Sequence, residues 1–355
     1  AGDGSANAVN YRTYEDRGIA VLYGSSQYMG ALVRCRMNRD GSVDAASTTW
    51  LDLYNGGQKL NNNKSEWTFY PSLALNQADQ TRFAVGGYSL FVGRDDPARL
   101  VKSPETLRID VTRIVDKSAV TKIENLGFNS IAYGAKDRPD AILAGIGDME
   151  YGAKTQKEID EGSYYGQLWY SDDVNKADPV RLTAFDTAAI GTDGETKQPG
   201  NAVQTLVFDG KNGSSYFYVS DGTSIWRGTR NDKASLAEAY DFDRISAGLP
   251  ANFIARRAVE YVSHNGVNAL LAGGLHMTTT DTTVNPIYYT LDPAANNGAV
   301  WRPLGKLLPN APVFNLHYSD IDDVLLTSTL GRGLFALYDF TSYFPEAASL
   351  TFGAA

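Results

Sequence analysis

The chain has 355 residues, 43% of them hydrophobic, and its 41 Asp plus Glu against 32 Lys plus Arg give a net charge of −9. That balance argues against nucleic acid or an anionic membrane surface as a partner, because both require a basic face. No apolar run approaches the roughly 20 residues of a membrane helix, no basic-plus-apolar leader precedes the first repeat, and the single cysteine, Cys35, excludes an internal disulfide framework and a cysteine zinc cluster.

One sentence of sequence recurs along the chain: an apolar run, a polar turn, a second run ending on small residues, a turn, and a third run with an aromatic residue. Its clearest copy is VFNLHYSDIDDVLLTSTLGRGLFAL at Val313–Leu337. Aligning the ends of the first runs puts Tyr14, Leu75, Tyr133, Phe208, Tyr261 and Tyr318 in one column. Five steps cover 318 − 14 = 304 residues, about 61 each, the length of one four-stranded blade. The second runs end at Gly24, Gly86-Gly87, Gly145, Ser220-Asp221-Gly222, Gly273-Gly274 and Ser328, and the third runs align Val33, Phe91, Trp169, Trp226, Tyr288 and Phe335. That last column reads as packing between blades. The expected fold is therefore all-β: a single β-propeller over residues 1–355 with six four-stranded antiparallel blades, or seven if Pro97–Asn125 or Asp172–Gln198 hides a degenerate unit.

Taken in order, the first blade carries Arg12, facing an axial funnel or capping a turn, and an extended turn SSQYMG at Ser25–Gly30. The second blade reads TFYPSLALN and FAVGGYSLFVG, followed by Arg94-Asp95-Asp96, a turn whose clustered carboxylates suit either solvent or calcium. The third holds the largest insertion, Asp148–Gly166, with Asp148, Glu150, Tyr151, Tyr164 and Tyr165. Acids and rings on a long connection of a rigid scaffold suit a sugar, so this is the leading expected binding surface, with a mobile acidic loop as the alternative. A short helix is expected around Lys233–Ala239. Arg256-Arg257 open the fifth blade, Glu260 follows on the same strand, and His276 begins a threonine-rich insertion. His317 occupies the column of Glu260 in the sixth blade, where an acid and an imidazole on neighbouring strands either exchange a proton or form a structural hydrogen bond. Arg332 sits in the sixth blade's turn. The three histidines, His264, His276 and His317, fall in different columns, so no histidine metal site is expected. Fourth strands are expected at Thr49–Leu53, Leu107–Ile114, Val180–Phe185, Tyr240–Ile245, Val300–Leu304 and Ser349–Phe352, most carrying charge on their outer edge.

YVSDGTSIWRG at Tyr218–Gly228 and TSTLGRGLFAL at Thr327–Leu337 resemble the Asp-box turn of the sialidase-type propeller superfamily, with Ser220, Asp221, Gly222 and Trp226 matching and Ser220 and Asp221 adjacent instead of one apart. The closing YDFTSYFPEAASLTFGAA resembles the end of propellers within large bacterial secreted or surface proteins. The resemblance implies a propeller in which Asp221 is a turn residue, and Arg12, Arg256, Arg257 and Arg332 resemble the arginine cluster that holds a substrate carboxylate. The superfamily's Arg-Ile-Pro motif and its tyrosine–glutamate nucleophile pair are missing. The expected function is accordingly an extracellular, non-catalytic recognition domain for a glycan or protein, secreted or at a bacterial surface and excised from a larger chain. A glycoside hydrolase or lyase using Asp148, Glu150 or Glu260 is the alternative, and a structural spacer the third reading. No cofactor is expected beyond possible calcium.

Overall fold

The structure, a computed structural model, describes residues 4–40, 42–99, 101, 105–119, 127–147, 166–183, 203–222, 224–232, 235–276, 286–294, 300–305 and 308–344. The chain divides into two compact units, residues 1–182 and 183–355.

In the first unit, β1 (Gly4–Tyr14), β2 (Ile19–Ser26), β3 (Leu32–Met37) and β4 (Val43–Asn55) form an antiparallel meander, with the short ribbon β5 (Gln58–Lys59) folded back on β4. A second meander comprises β6 (Ser72–Leu75), β7 (Arg82–Gly86), β8 (Leu90–Arg94) and β9 (Thr106–Val115). The third is β10 (Gly127–Tyr133), β11 (Ile142–Gly147), β12 (Gln167–Ser171) and β13 (Val180–Arg181).

The second unit repeats the pattern with β14 (Thr205–Asp209), β15 (Gly213–Ser220), β16 (Ile225–Arg230) and β17 (Tyr240–Arg244). Then come β18 (Phe253–His264), β19 (Val267–His276), β20 (Ile287–Leu291) and β21 (Arg302–Pro303). Last are β22 (Val313–Ser319), β23 (Val324–Thr329) and β24 (Gly333–Leu337). Within each unit the first strands of successive meanders lie side by side, β1 by β6 and β6 by β10, then β14 by β18 and β18 by β22. That is the β-propeller arrangement.

Six meanders do not give six separate sheets. β4 and β9 pair in parallel, Trp50–Tyr54 against Thr106–Asp110, and fuse the first two meanders into one nine-stranded sheet, so the described strands make five hydrogen-bonded sheets. The physical reason is that two outer strands of similar length, each alternating apolar and polar residues, lie edge to edge and satisfy each other's backbone groups. The 97–125 stretch holds this outer strand β9, and 184–198 lies outside the described residues, as does Ser349–Phe352. Two further expectations shift. The second meander's first strand starts only at Ser72, after Pro71, whose missing N–H cannot join a ladder, so Phe69 and Tyr70 stand in the preceding connection. The short helix is a single 3-10 turn, Leu236–Glu238.

Each core lies between successive meanders. Val21, Tyr23 and Leu51 of the first meander pack with Phe83, Val85 and Phe91 of the second, and Leu90 of the second packs with Phe128, Ile142 and Trp169 of the third. In the second unit Val207 and Tyr218 meet Val259, Tyr261 and Tyr288, and Val262 and Leu271 meet Leu316, Tyr318 and Leu325. Phe91, Trp169, Trp226, Tyr288 and Phe335 share one register, each paired with the residue just before the second strand's small-residue position, Gly86, Gly145, Ser220, Gly273 or Ser328. Val33 is displaced by one position and pairs with Gly24 itself.

The small-residue signature has a steric cause. A Cβ on Gly86 would stand 2.5 Å from the Phe128 carbonyl oxygen of the next meander, and one on Gly273 would collide with Val313 of the meander after it. Polar latches complete the seams: buried Asn10 donates to the Gln80 carbonyl at 2.9 Å, and buried Asn76 donates to that of Pro139 at 2.6 Å. Asn10 reaches from β1, and Asn76 from the β6–β7 turn, to the turn of the next meander, and each satisfies a carbonyl that burial would otherwise orphan.

Candidate functional site

The β2–β3 connection, the chain leading from β4 to β6, and the β7–β8 turn emerge at the same end of their antiparallel meanders. Backbone hydrogen bonds tie the three together: the Asn62 amide to the Met29 carbonyl (3.3 Å), the Tyr28 amide to Phe69 (3.2 Å), and the Tyr88 amide to Glu66 (2.8 Å). Two core anchors hold this layer down. Trp67 is fully buried and donates its indole N–H to Leu60 at 2.7 Å. Buried Glu66 accepts from Ser89 (2.8 Å) and from Arg113 (2.9 Å).

Above the anchors lies a cluster of rings. Tyr28 and Phe69 meet with centroids 5.2 Å apart and planes at 82°, and Phe69 and Tyr70 at 4.6 Å and 84°. Phe69 is 39% and Tyr70 36% exposed. Lys64 places its ammonium 4.9 Å from the centre of the Tyr28 ring and forms no ion pair among the described residues. Tyr28 and Met29 are consecutive non-glycine residues in the left-handed region, at φ 53° and 50°, a strain of about 1 kcal/mol each or more. Met29 offsets it by inserting fully into the core, and the consequence is that Tyr28 is turned outward to meet Phe69. Burial pushes the Tyr88 hydroxyl above its ordinary pKa, with adjacency to Tyr28 adding to the effect.

Of the residues singled out in the sequence, Asp148, Glu150, Tyr151, Tyr164 and Tyr165 lie outside the described residues. Of the four arginines, Arg12 belongs to the first unit and Arg256, Arg257 and Arg332 to the second. Arg12, exposed on β1, gives its backbone N–H to the Gln80 side chain at 3.2 Å and leans over the Tyr11 ring. Arg332 is exposed in the β23–β24 turn, and Arg256 and Arg257 lie on β18 with side chains outside the described set. His276 ends β19 almost fully buried, its Nε2 3.2 Å from the Tyr288 hydroxyl and its backbone bonded both ways to the Asn310 amide. These bonds fix the end of β19 against the segment that carries Asn310.

Glu260 and His317 lie on the neighbouring strands β18 and β22. Burial pushes the Glu260 carboxyl up to about 8, although it accepts a hydrogen bond from the Tyr318 backbone N–H, which works the other way. The partner the structure gives Glu260 is thus the Tyr318 backbone amide and not the His317 ring that both alternatives invoked. His317 keeps an exposed ring, yet the protein around it lowers its pKa below the ordinary histidine value, with Asp320 opposing.

Two acidic turns are also structural. Asp221 is 3% exposed and accepts from the Ser224 amide (2.6 Å) and the Trp226 indole (2.9 Å), with Gly222 at φ 85° closing the turn. Asp95, 1% exposed, binds Arg34 and the Tyr23 hydroxyl, both at 2.8 Å, so its carboxylate is committed to a guanidinium. Among the described residues no three His, Cys, Asp or Glu side chains converge as a metal site would need. The ring cluster itself carries no sequence motif. Its rings come from two connections, which the Tyr28–Phe69 and Asn62–Met29 backbone hydrogen bonds unite.

Comparison with known protein families and with curated proteins gives no match. Among solved structures, the β-propeller domain of Cps50 (Swd1) from Myceliophteria thermophila is similar at 11% identity and a TM-score of 0.44, over 95% of this chain and 97% of that one.

Proposed function

We propose that the chain is a non-catalytic recognition module, a six-bladed β-propeller by the count of its meanders, that engages a glycan or protein ligand outside the cell. The observation that carries this reading is the exposed Tyr28–Phe69–Tyr70 cluster on an anchored, strained connection. Strain held at a surface position and rings left open to water are features that a purely structural spacer does not need. Rigid sheets beneath the cluster pre-organise it, which lowers the entropic cost of binding.

Glu260, with its raised pKa, supports the hydrolase alternative only in part, since glycoside hydrolysis requires a second carboxylate across the substrate. The test is to immobilise the chain and screen panels of glycans and of peptides, with and without calcium, beside the Phe69→Ala and Tyr70→Ala variants. Binding without turnover, lost in both variants, is the expected result. A ligand held equally well by both variants, or cleavage of any panel member, removes the reading.

A further inference from the structure

We infer that the Tyr28–Phe69–Tyr70 cluster takes an extended, proline-rich peptide with an acidic residue beside its prolines, an inference that rests on the recognition reading above. Ring geometry is the first ground. Three rings meeting at 82° and 84° present notches between rings and no flat platform. A pyranose needs an open, flat ring face to stack on, and here each ring has an edge or face turned into its neighbour. A proline ring is narrower and fills the angle between two perpendicular rings, and a polyproline II ligand loses little conformational entropy on docking because it is already extended.

Hydrogen bonding is the second ground. A polyproline II segment carries carbonyl oxygens and few N–H groups, so its groove must donate. Tyr28 and Tyr70 bring their hydroxyls to the cluster, Tyr88 lies near enough to Tyr28 for the two to interact electrostatically, and none of the three hydroxyls is bonded to a protein group among the described residues. Charge complementarity is the third ground. The chain carries a net charge of −9, yet the cation at this rim, Lys64, lies over the Tyr28 ring with no carboxylate paired to it. The nearest acid in the same connection, Glu66, is buried and already engaged by Ser89 and Arg113. An acidic residue flanking the prolines meets an unopposed ammonium there.

The experiment titrates the full chain by calorimetry with three probes: a polyproline peptide ending in two aspartates, the same peptide ending in two asparagines, and an aspartate-tailed peptide of equal length without proline. A neutral and an acidic oligosaccharide serve as competitors. The expected result is that the acidic polyproline probe binds best, that Phe69→Ala or Tyr70→Ala weakens it about tenfold, and that Lys64→Gln removes the preference for aspartate over asparagine while leaving the asparagine probe unaffected. Equal binding of the proline-free probe overturns the inference. Oligosaccharide binding lost in Phe69→Ala, with no peptide binding, overturns it too but leaves the recognition reading standing. Absence of binding to every probe and to the wider panels sinks both. Unchanged near-ultraviolet circular dichroism in the variants shows that any loss is local.

Discussion

Two groups of aromatic rings, one in each unit, show how little residue type says about role. In the second unit Tyr218 and Tyr261 stack at 5.6 Å with planes 11° apart, both buried, and both hydroxyls bond to Asp209, which holds them above the usual tyrosine pKa together with burial. Asp209 in turn caps its own turn by accepting the Lys211 and Asn212 amides at 2.9 and 2.7 Å. In the first unit Tyr28, Phe69 and Tyr70 cross at right angles, are partly open to water, and lean on a strained connection. The first set is a seam and the second a surface. What separates them is whether the polar ends have protein partners.

Removing a seam residue should cost the most. Asp209→Ala leaves two buried hydroxyls without an acceptor and uncaps a turn, so a loss of about 3 kcal/mol is expected in denaturant unfolding. If Phe69→Ala costs as much, the contrast collapses and the exposed rings are also structural. Gly86→Ala tests the seam between the second and third meanders. Its methyl would press on the Phe128 carbonyl, and a loss of about 2 kcal/mol is expected, against little effect for alanine at Gly24, where nothing lies within 4 Å.

Glu260 sharpens the comparison from the electrostatic side. Its folded pKa near 8 exceeds the ordinary 4.5, so the folded state holds a proton that the unfolded state has released. Its effect on stability is absent below the unfolded value and grows more unfavourable as pH rises from there through 8. Glu260→Gln should therefore be neutral at acid pH and stabilising by up to about 5 kcal/mol at pH 9, read as a difference in melting curves between buffers. Equal pH profiles for the two proteins would show that the carboxyl titrates normally. Smallest of all, Phe69→Ala and Tyr70→Ala should alter stability by no more than about 0.5 kcal/mol. EDTA should leave the melting temperature where it is, since Arg34 and Tyr23 already hold Asp95 Oδ2 and no three His, Cys, Asp or Glu side chains converge among the described residues.

The repeat was legible because burial in a sheet imposes a period of two and the steric demand at Gly86 and Gly273 recurs once per meander. Phe91, Trp169, Trp226, Tyr288 and Phe335 could be aligned for the same reason. The latches were not legible. Asn10 sits on β1 and Asn76 in the turn after β6, and nothing in their local sequence points to partners 70 and 63 residues away. Parallel pairing of β4 with β9 was likewise hidden, as alternation reports which face a residue takes and not which strand lies beside it. The ring cluster escaped for a further reason: Phe69 and Tyr70 read as the start of a strand, and only Pro71 shows where that strand cannot begin. Arg12 and Arg332, by contrast, drew attention through charge, and the structure leaves each at an ordinary exposed position.

The β4–β9 ladder has a dynamic consequence. Outermost strands normally fray, because half of their amides face water, and their protons exchange at rates set by local opening. Here Trp50–Tyr54 and Thr106–Asp110 protect one another, so their paired amides should exchange only when both meanders open together. Isotope uptake would then treat residues 4–115 as one cooperative body, whereas β13, β17 and β21, each bonded to a single neighbour, should take up deuterium first.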